Sequence, residues 1–315
     1  MGGVAASCDS RHDPHLREAS WLDLPRAGTN VAAVGPPVWS WRIPLARPEL
    51  GITGYLGSFD EGRATQDALL AMEYPERIIL AVADGVTPTD RTPVVGGTDG
   101  ARYAAHVVLE HVLAAPSTAD LTRVLQTANT TLFERFGPMA RHDLHPRDRP
   151  QAATVVLAVD LTRAGTVAGV ACARAADCEV WIRRGDVWSA QSPRSMLKDD
   201  TRTLLAQWDA ANREATYQER IAEEMRILRD RSQWNLTALG RFERPKIDAP
   251  EIAGDFDELA LVTDGARLAG FASGPTSEPH EWMAQLRRSE ARVRPPARRH
   301  ADVAMLHLRR QAPMR

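Results

Sequence analysis

Lysine is almost missing from this chain of 315 residues, which has only Lys198 and Lys246. Arginine carries nearly all the positive charge, as a GC-rich coding bias would produce, so its abundance alone marks no functional surface. The 41 acidic residues nearly balance the 39 basic ones. A formal net charge of −2 at pH 7 gives no bulk attraction to nucleic acid or an anionic membrane. Cysteine is also scarce. Cys8, Cys172 and Cys178 make no disulfide framework, and the last two lie in or beside apolar strands as small core residues. That fits a reducing cytoplasm. No run is long and apolar enough to span a bilayer. The first residues lack the basic start and apolar core of a signal peptide, and Ala6 stands where a myristoylation signal needs Ser or Thr. No Gly-x-Gly-x-x-Gly or Walker loop follows a strand, which argues against a nucleotide-binding doubly wound fold. The expected setting is cytoplasmic, with no nucleic-acid or membrane partner; the oligomeric state stays open.

The length suffices for one large domain or two small ones. Residues 1–50 scatter Pro, Gly and Arg without a period and predict an irregular extension, although Trp21, Trp39 and Trp41 favour its docking on a surface. A regular domain is expected over 51–310. Strands are predicted at Gly54–Ser58, Ala68–Met72 and Ile78–Ala83. Helical spacing of Ala101, Ala104, Ala105, Val108, Leu109 and Val112 predicts a helix over Asp99–Ala114, capped by Asp99. A second helix is expected from Ser117, with Asp120 as its capping-box partner and Gly137 as its end. Four strands follow, Ala153–Asp160, Val167–Arg174, Cys178–Arg183 and Val187–Gln191, with glycine turns that favour antiparallel pairing. Residues 194–240 are charged and polar and form an insertion, with an exposed helix over Ala210–Arg229. Strands near Lys246–Ile252 and at Leu259–Thr263, a helix over Ser277–Arg292 and a last strand at Val303–Leu308 complete the order. That order is α+β.

Two apolar strands end in Asp-Gly: Leu80-Ala81-Val82-Ala83-Asp84-Gly85 and Leu259-Ala260-Leu261-Val262-Thr263-Asp264-Gly265. Asp-Gly after a strand is a common hairpin signal. It also delivers a carboxylate to a sheet edge, where glycine lets the chain turn away. Asp302 heads a third apolar run. Three such carboxylates could meet over one hard cation, which points to a metal-dependent hydrolase. His142-Asp143-Leu144-His145 has metal-ligand chemistry but no second ligand cluster, so it reads as a solvated connection. His106 and His111, beside the apolar stripe of the first helix, read as helix-surface residues.

From Gly54 to Leu308 the motifs, in order, resemble those of the metal-dependent serine/threonine protein phosphatases of class 2C, the PPM type. Gly62-Arg63-Ala64-Thr65-Gln66-Asp67-Ala68 resembles the first motif, an Arg followed by Glu-Asp. The Asp84-Gly85 strand resembles the metal-bridging motif, and Gly96-Gly97 with the Asp99 helix resembles the loop after it. Ala153-Thr154-Val155-Val156, Ala176-Asp177-Cys178, Leu236–Gly240, Thr263-Asp264-Gly265 and Asp302 match the later motifs. The resemblance implies a four-layer α-β-β-α sandwich of two antiparallel sheets flanked by helices, with 194–240 as its flap. It implies two Mn²⁺ or Mg²⁺ ions, with room for a weaker third. Asp84 would bridge both. Asp264 and Asp302 would hold the first ion. The Gly85 carbonyl and Gln66 would help hold the second, Asp67 would be a further metal ligand, and Asp177 would serve the third. Arg63 would bind phosphate. A water between the ions would attack phosphorus in a phosphorylated protein or a small phosphoester, so no Cys-x5-Arg nucleophile loop is needed.

The departures are specific. Gln66 replaces a glutamate ligand, which removes a full charge from the second-ion site. Arg63 lies one residue late, and a one-residue shift in a strand turns a side chain to the other face. Val303 stands where Asn is usual, and Val86 where some members have a general-acid His. These support the alternative of a catalytically degenerate relative serving as a binding or regulatory module.

Overall fold

The computed structural model describes residues 18–22, 32–33, 38–43, 45, 49–58, 65–86, 92–95, 99–140, 148–191, 197–214, 216, 219–220, 222–223, 226–227, 238–264 and 302–310. Two antiparallel sheets face each other. Five strands make the first: β1 (Glu18–Leu22), β5 (Ala68–Tyr74), β6 (Arg77–Gly85), β7 (Ala152–Leu161) and β8 (Val167–Ala175), in the order β1-β5-β6-β7-β8. Seven make the second: β2 (Ala32–Ala33), β3 (Val38–Ile43), β4 (Leu50–Ser58), β9 (Glu179–Arg184), β10 (Val187–Ala190), β11 (Glu258–Val262) and β12 (Asp302–Arg310), in the order β10-β9-β11-β12-β4-β3-β2. Helices α1 (Gly100–Ala114) and α2 (Leu121–Ala140) pack together over the first sheet, α1 on β5, β6 and β7 and α2 on β8. This is the α+β two-sheet architecture that the sequence implies.

The period of two in the strands sorts side chains between two cores. Leu80 and Val82 of β6, Leu69 and Ala71 of β5, Ala304 and Leu306 of β12, and Leu259 and Leu261 of β11 fill the space between the sheets. Ile79, Ala81 and Ala83 point the other way, into a second core with Ala104, Ala105, Val108 and Leu125 of the helices. A strand buried on both faces reads as a continuous apolar run, which is why Ile78–Ala83 is so plain in the sequence. Each fully buried Leu, Ile or Val here contributes about 1.5–3 kcal/mol.

Several expectations need correction. Residues 1–50 are not irregular throughout: β1 pairs with β5 and β3 pairs with β4, so this stretch extends both sheets. Pairing to an existing edge stabilises strands that local composition does not announce. The second helix begins at Leu121, not near Ser117. Asp120 caps it, with Oδ1 accepting from Thr122 N at 2.8 Å, and the helix runs past Gly137 to Ala140. A helix, α3, occupies Leu197–Ala211, ahead of the expected Ala210–Arg229, where the described residues 219–220, 222–223 and 226–227 are also helical. Near Lys246–Ile252 there is one isolated bridge, Arg174 with Asp248, in place of a strand. His106 and His111 are half-buried, and His111 Nε2 meets Thr131 Oγ1 of α2 at 2.9 Å. The Ser277–Arg292 helix, His142–His145 and the Gly96-Gly97 loop lie outside the described residues.

Candidate functional site

The ends of five strands meet at one edge of the sandwich. Asp84 is the next-to-last residue of β6, and Asp67 immediately precedes β5. Asp302 opens β12, Thr263 and Asp264 follow β11, and Asp177 lies in the turn from β8 to β9. Strand parity decides which way they face. Asp84 continues the inward row Leu80–Val82, Asp67 continues Ala71–Leu69, Asp302 continues Leu306–Ala304, and Thr263 continues Leu259–Leu261. The hydrophobic core between the sheets therefore ends in a layer of carboxylates.

Within that layer Asp67 is 2% exposed. Burial, then the charges of Asp302 and Asp264, push its carboxyl well above the usual range, against a hydrogen bond from Thr263 that favours the anion. Burial pushes Asp84 up as well, followed by the charges of Asp67, Asp264 and Asp177. Asp67 Oδ1 is buried and receives no hydrogen bond among the described residues. Burying a carboxylate oxygen without a donor is unfavourable unless a proton or a cation meets it.

The second oxygen of Asp67 is fixed. Thr263 Oγ1 donates to Oδ2 at 2.8 Å and accepts from Ala304 N at 2.9 Å. Thr263→Ala is expected to lower stability by about 1–3 kcal/mol, because it strips partners from two buried groups at once. Thr263→Ser should retain most of it. Urea unfolding of both variants checks this, and equal losses would contradict it.

Gly85 faces the other way, toward α1. A Cβ on it would lie 2.7 Å from the backbone C and O of Ala101 and 2.8 Å from the carbonyl of Gln66. Only glycine lets α1, the Gln66 segment and β6 close on one another here. Gly85→Ala is expected to lower stability by about 1–3 kcal/mol, read by urea unfolding. A native value would show that the close contact is dispensable.

Gln66 is 4% exposed and precedes β5. Its Nε2 donates to Asp99 Oδ2 at 2.8 Å, and its backbone N–H donates to Asp302 Oδ2 at 2.9 Å. Arg63 lies outside the described residues, as do Leu236, Thr237 and Gly265. Ala238–Gly240 returns beside the site. Leu239 pairs with Ala152, which itself pairs with Gly85. Gly240 has φ +87°, and its N–H donates to Asn129 Oδ1 at 2.8 Å.

An all-oxygen donor set that repels itself, with one buried oxygen lacking a donor, fits a hard divalent cation. Among the described residues, however, no three His, Cys, Asp or Glu side chains already form a metal-holding group. The carboxylates share a field without yet closing on a point. Cys178, fully buried at the same end, is no rival nucleophile: burial and then the charges of Asp84 and Asp177 push its thiol far up. Burial pushes Cys172 up to about 12.

No protein-family model matches this sequence, and no curated protein matches it. Solved structures do resemble it. The serine/threonine phosphatase of S. agalactiae aligns with a TM-score of 0.53 at 10% identity, over 83% of this chain and 100% of that one. The serine/threonine phosphatase Stp1 of Staphylococcus aureus gives 0.51 at 12%, over 86% and 100%. RsbX in complex with magnesium gives 0.50 at 10%, again over 86% and 100%. The chain therefore has the fold of the PPM-type serine/threonine phosphatases. No helix among the described residues is long and apolar enough to cross a membrane.

Proposed function

We propose that this chain is a divalent-cation-dependent phosphoester hydrolase, and specifically a phosphoserine/phosphothreonine protein phosphatase using Mn²⁺ or Mg²⁺. The observation that carries this is the layer of Asp67, Asp84 and Asp302 closing the core between the sheets, with Asp264 near enough to add its charge, in a fold shared with serine/threonine phosphatases. RsbX, of the same fold, is a magnesium complex. Asp84, Asp264, Asp302, Asp67, Gln66 and the Gly85 carbonyl are the proposed ligands of two ions, with Asp177 for a third. Bound divalent ions would acidify and orient a water for in-line attack and offset the charge of the phosphate.

The chain's own residues do the positioning. Thr263 fixes Asp67, the Gln66 N–H fixes Asp302, and Gly85 allows α1 to dock behind the acidic layer. With both described thiols buried and held protonated, no cysteine among them serves as nucleophile. Arg63 remains the proposed phosphate contact. The proposed phosphatase domain is 51–310 with a flap at 194–240, extended in both sheets by β1 to β3 of residues 1–50, and the proposed compartment is the cytoplasm. One observation favours the alternative of a degenerate binding module: Gln66 spends its side-chain nitrogen on Asp99. Phosphate release from phosphoserine and phosphothreonine peptides with Mn²⁺ tests the proposal. Release from either supports it. Binding of the peptides without release would favour the degenerate reading.

A further inference from the structure

Gln66 is held at both its backbone and its side chain. Its backbone N–H holds Asp302 and its side chain holds Asp99. Asp99 in turn is used at both oxygens: Oδ2 accepts from Gln66, while Oδ1 accepts from Ala101 N at 2.8 Å and caps α1. The Gln66 carbonyl and the Ala101 backbone also form the two walls against which Gly85 packs. One residue thus ties the acidic layer to the first turn of α1.

The chemistry of the contact is restrictive. A glutamate at position 66 would set two acceptor groups of like charge face to face across 2.8 Å. An amide at that position satisfies Asp99 and leaves Gln66 Oε1 as its remaining coordinating atom. We propose that Gln66 and Asp99 are a matched pair: Asp99 is the positioning residue that aligns the Gln66 amide and couples ion binding at Gln66 Oε1 to the docking of α1. This rests on the metal-site reading above. It makes the second ion weakly held because a neutral oxygen serves it.

A charge swap tests the pair. In Gln66→Glu, the two carboxylates oppose each other and the metal-free melting temperature should fall. In Asp99→Asn, Oδ1 keeps the cap on Ala101 N and the Gln66 amide can turn so that Oε1 accepts from the new amide nitrogen, so the melting temperature should change little. In the double variant Gln66→Glu with Asp99→Asn, the new amide oxygen can cap Ala101 while its nitrogen donates to the new carboxylate at position 66, so both bonds return. The double variant should melt above Gln66→Glu, a non-additivity expected only of groups in contact. By titration calorimetry it should bind Mn²⁺ several-fold more tightly than the wild type, because a charged oxygen has replaced a neutral one.

Additive losses in the metal-free proteins would overturn the pairing. Recovery of stability with unchanged Mn²⁺ affinity would overturn the positioning role. If the wild type and the double variant both bind no Mn²⁺, the ion-site reading itself fails, and the metal-free melting cycle reports separately on the pair.

Discussion

Asp84→Asn is expected to abolish Mn²⁺-dependent phosphate release while making the metal-free protein more stable. Loss of activity follows from the proposed role of Asp84 between both ions. Removing several kcal/mol of charge stabilisation at about 1.4 kcal/mol per tenfold corresponds to a loss of at least about a thousandfold. The gain in stability follows from the structure alone. Burial and then the charges of Asp67, Asp264 and Asp177 hold the Asp84 carboxyl above its ordinary value of 3.8. A group whose pKa is raised by folding stabilises the protein fully only below its unfolded value, and that contribution is lost as pH rises through the folded one. Metal-free wild type should therefore lose ground to the variant as pH rises above about 4, and the two should converge in acid. Chemical denaturation at several pH values measures this. A variant that is less stable than wild type at neutral pH would show that the carboxylates do not repel as described, and retained turnover would remove Asp84 from the chemistry.

On the proposed metal-site reading, relief of the same repulsion should make stability respond to cations. Mn²⁺ at about a hundred times its dissociation constant should add about 2.7 kcal/mol of stability. EDTA should reverse the gain. The effect should shrink in Asp84→Asn, where the ligand is gone, and persist in Thr263→Ser, where the hydroxyl that fixes Asp67 is kept. A melting temperature indifferent to both Mn²⁺ and EDTA would count against any functional metal site and favour the degenerate module.

What was legible in the sequence follows from what is local. The β6 run and Asp84 could be read because a strand buried on both faces is apolar throughout and ends abruptly in Asp-Gly. Helix α1 could be read to within a residue because its stripe and its Asp99 cap are both local signals. The inward rows of β5, β6, β11 and β12 follow from a period of two, so the meeting of Asp67, Asp84 and Asp302 was implicit in the pattern. The partner of Gln66 was not legible. Asp99 lies 33 positions away and meets Gln66 only once α1 has docked against Gly85. Likewise the hold of Thr263 on Asp67 spans 196 positions and needs both sheets in place. Strands β1 and β3 escape a sequence reading because their stability comes from pairing with β5 and β4, in a stretch whose Pro, Gly and Arg content suggests irregularity.

The central claim is that this acidic layer performs metal-dependent phosphoester hydrolysis. The most direct test is turnover of p-nitrophenyl phosphate by the purified full-length chain with and without Mn²⁺, beside a metal count on the same preparation. The account predicts bound divalent metal and turnover that appears with Mn²⁺ and disappears with EDTA. A chain that binds no divalent ion and releases no phosphate under either condition would contradict it.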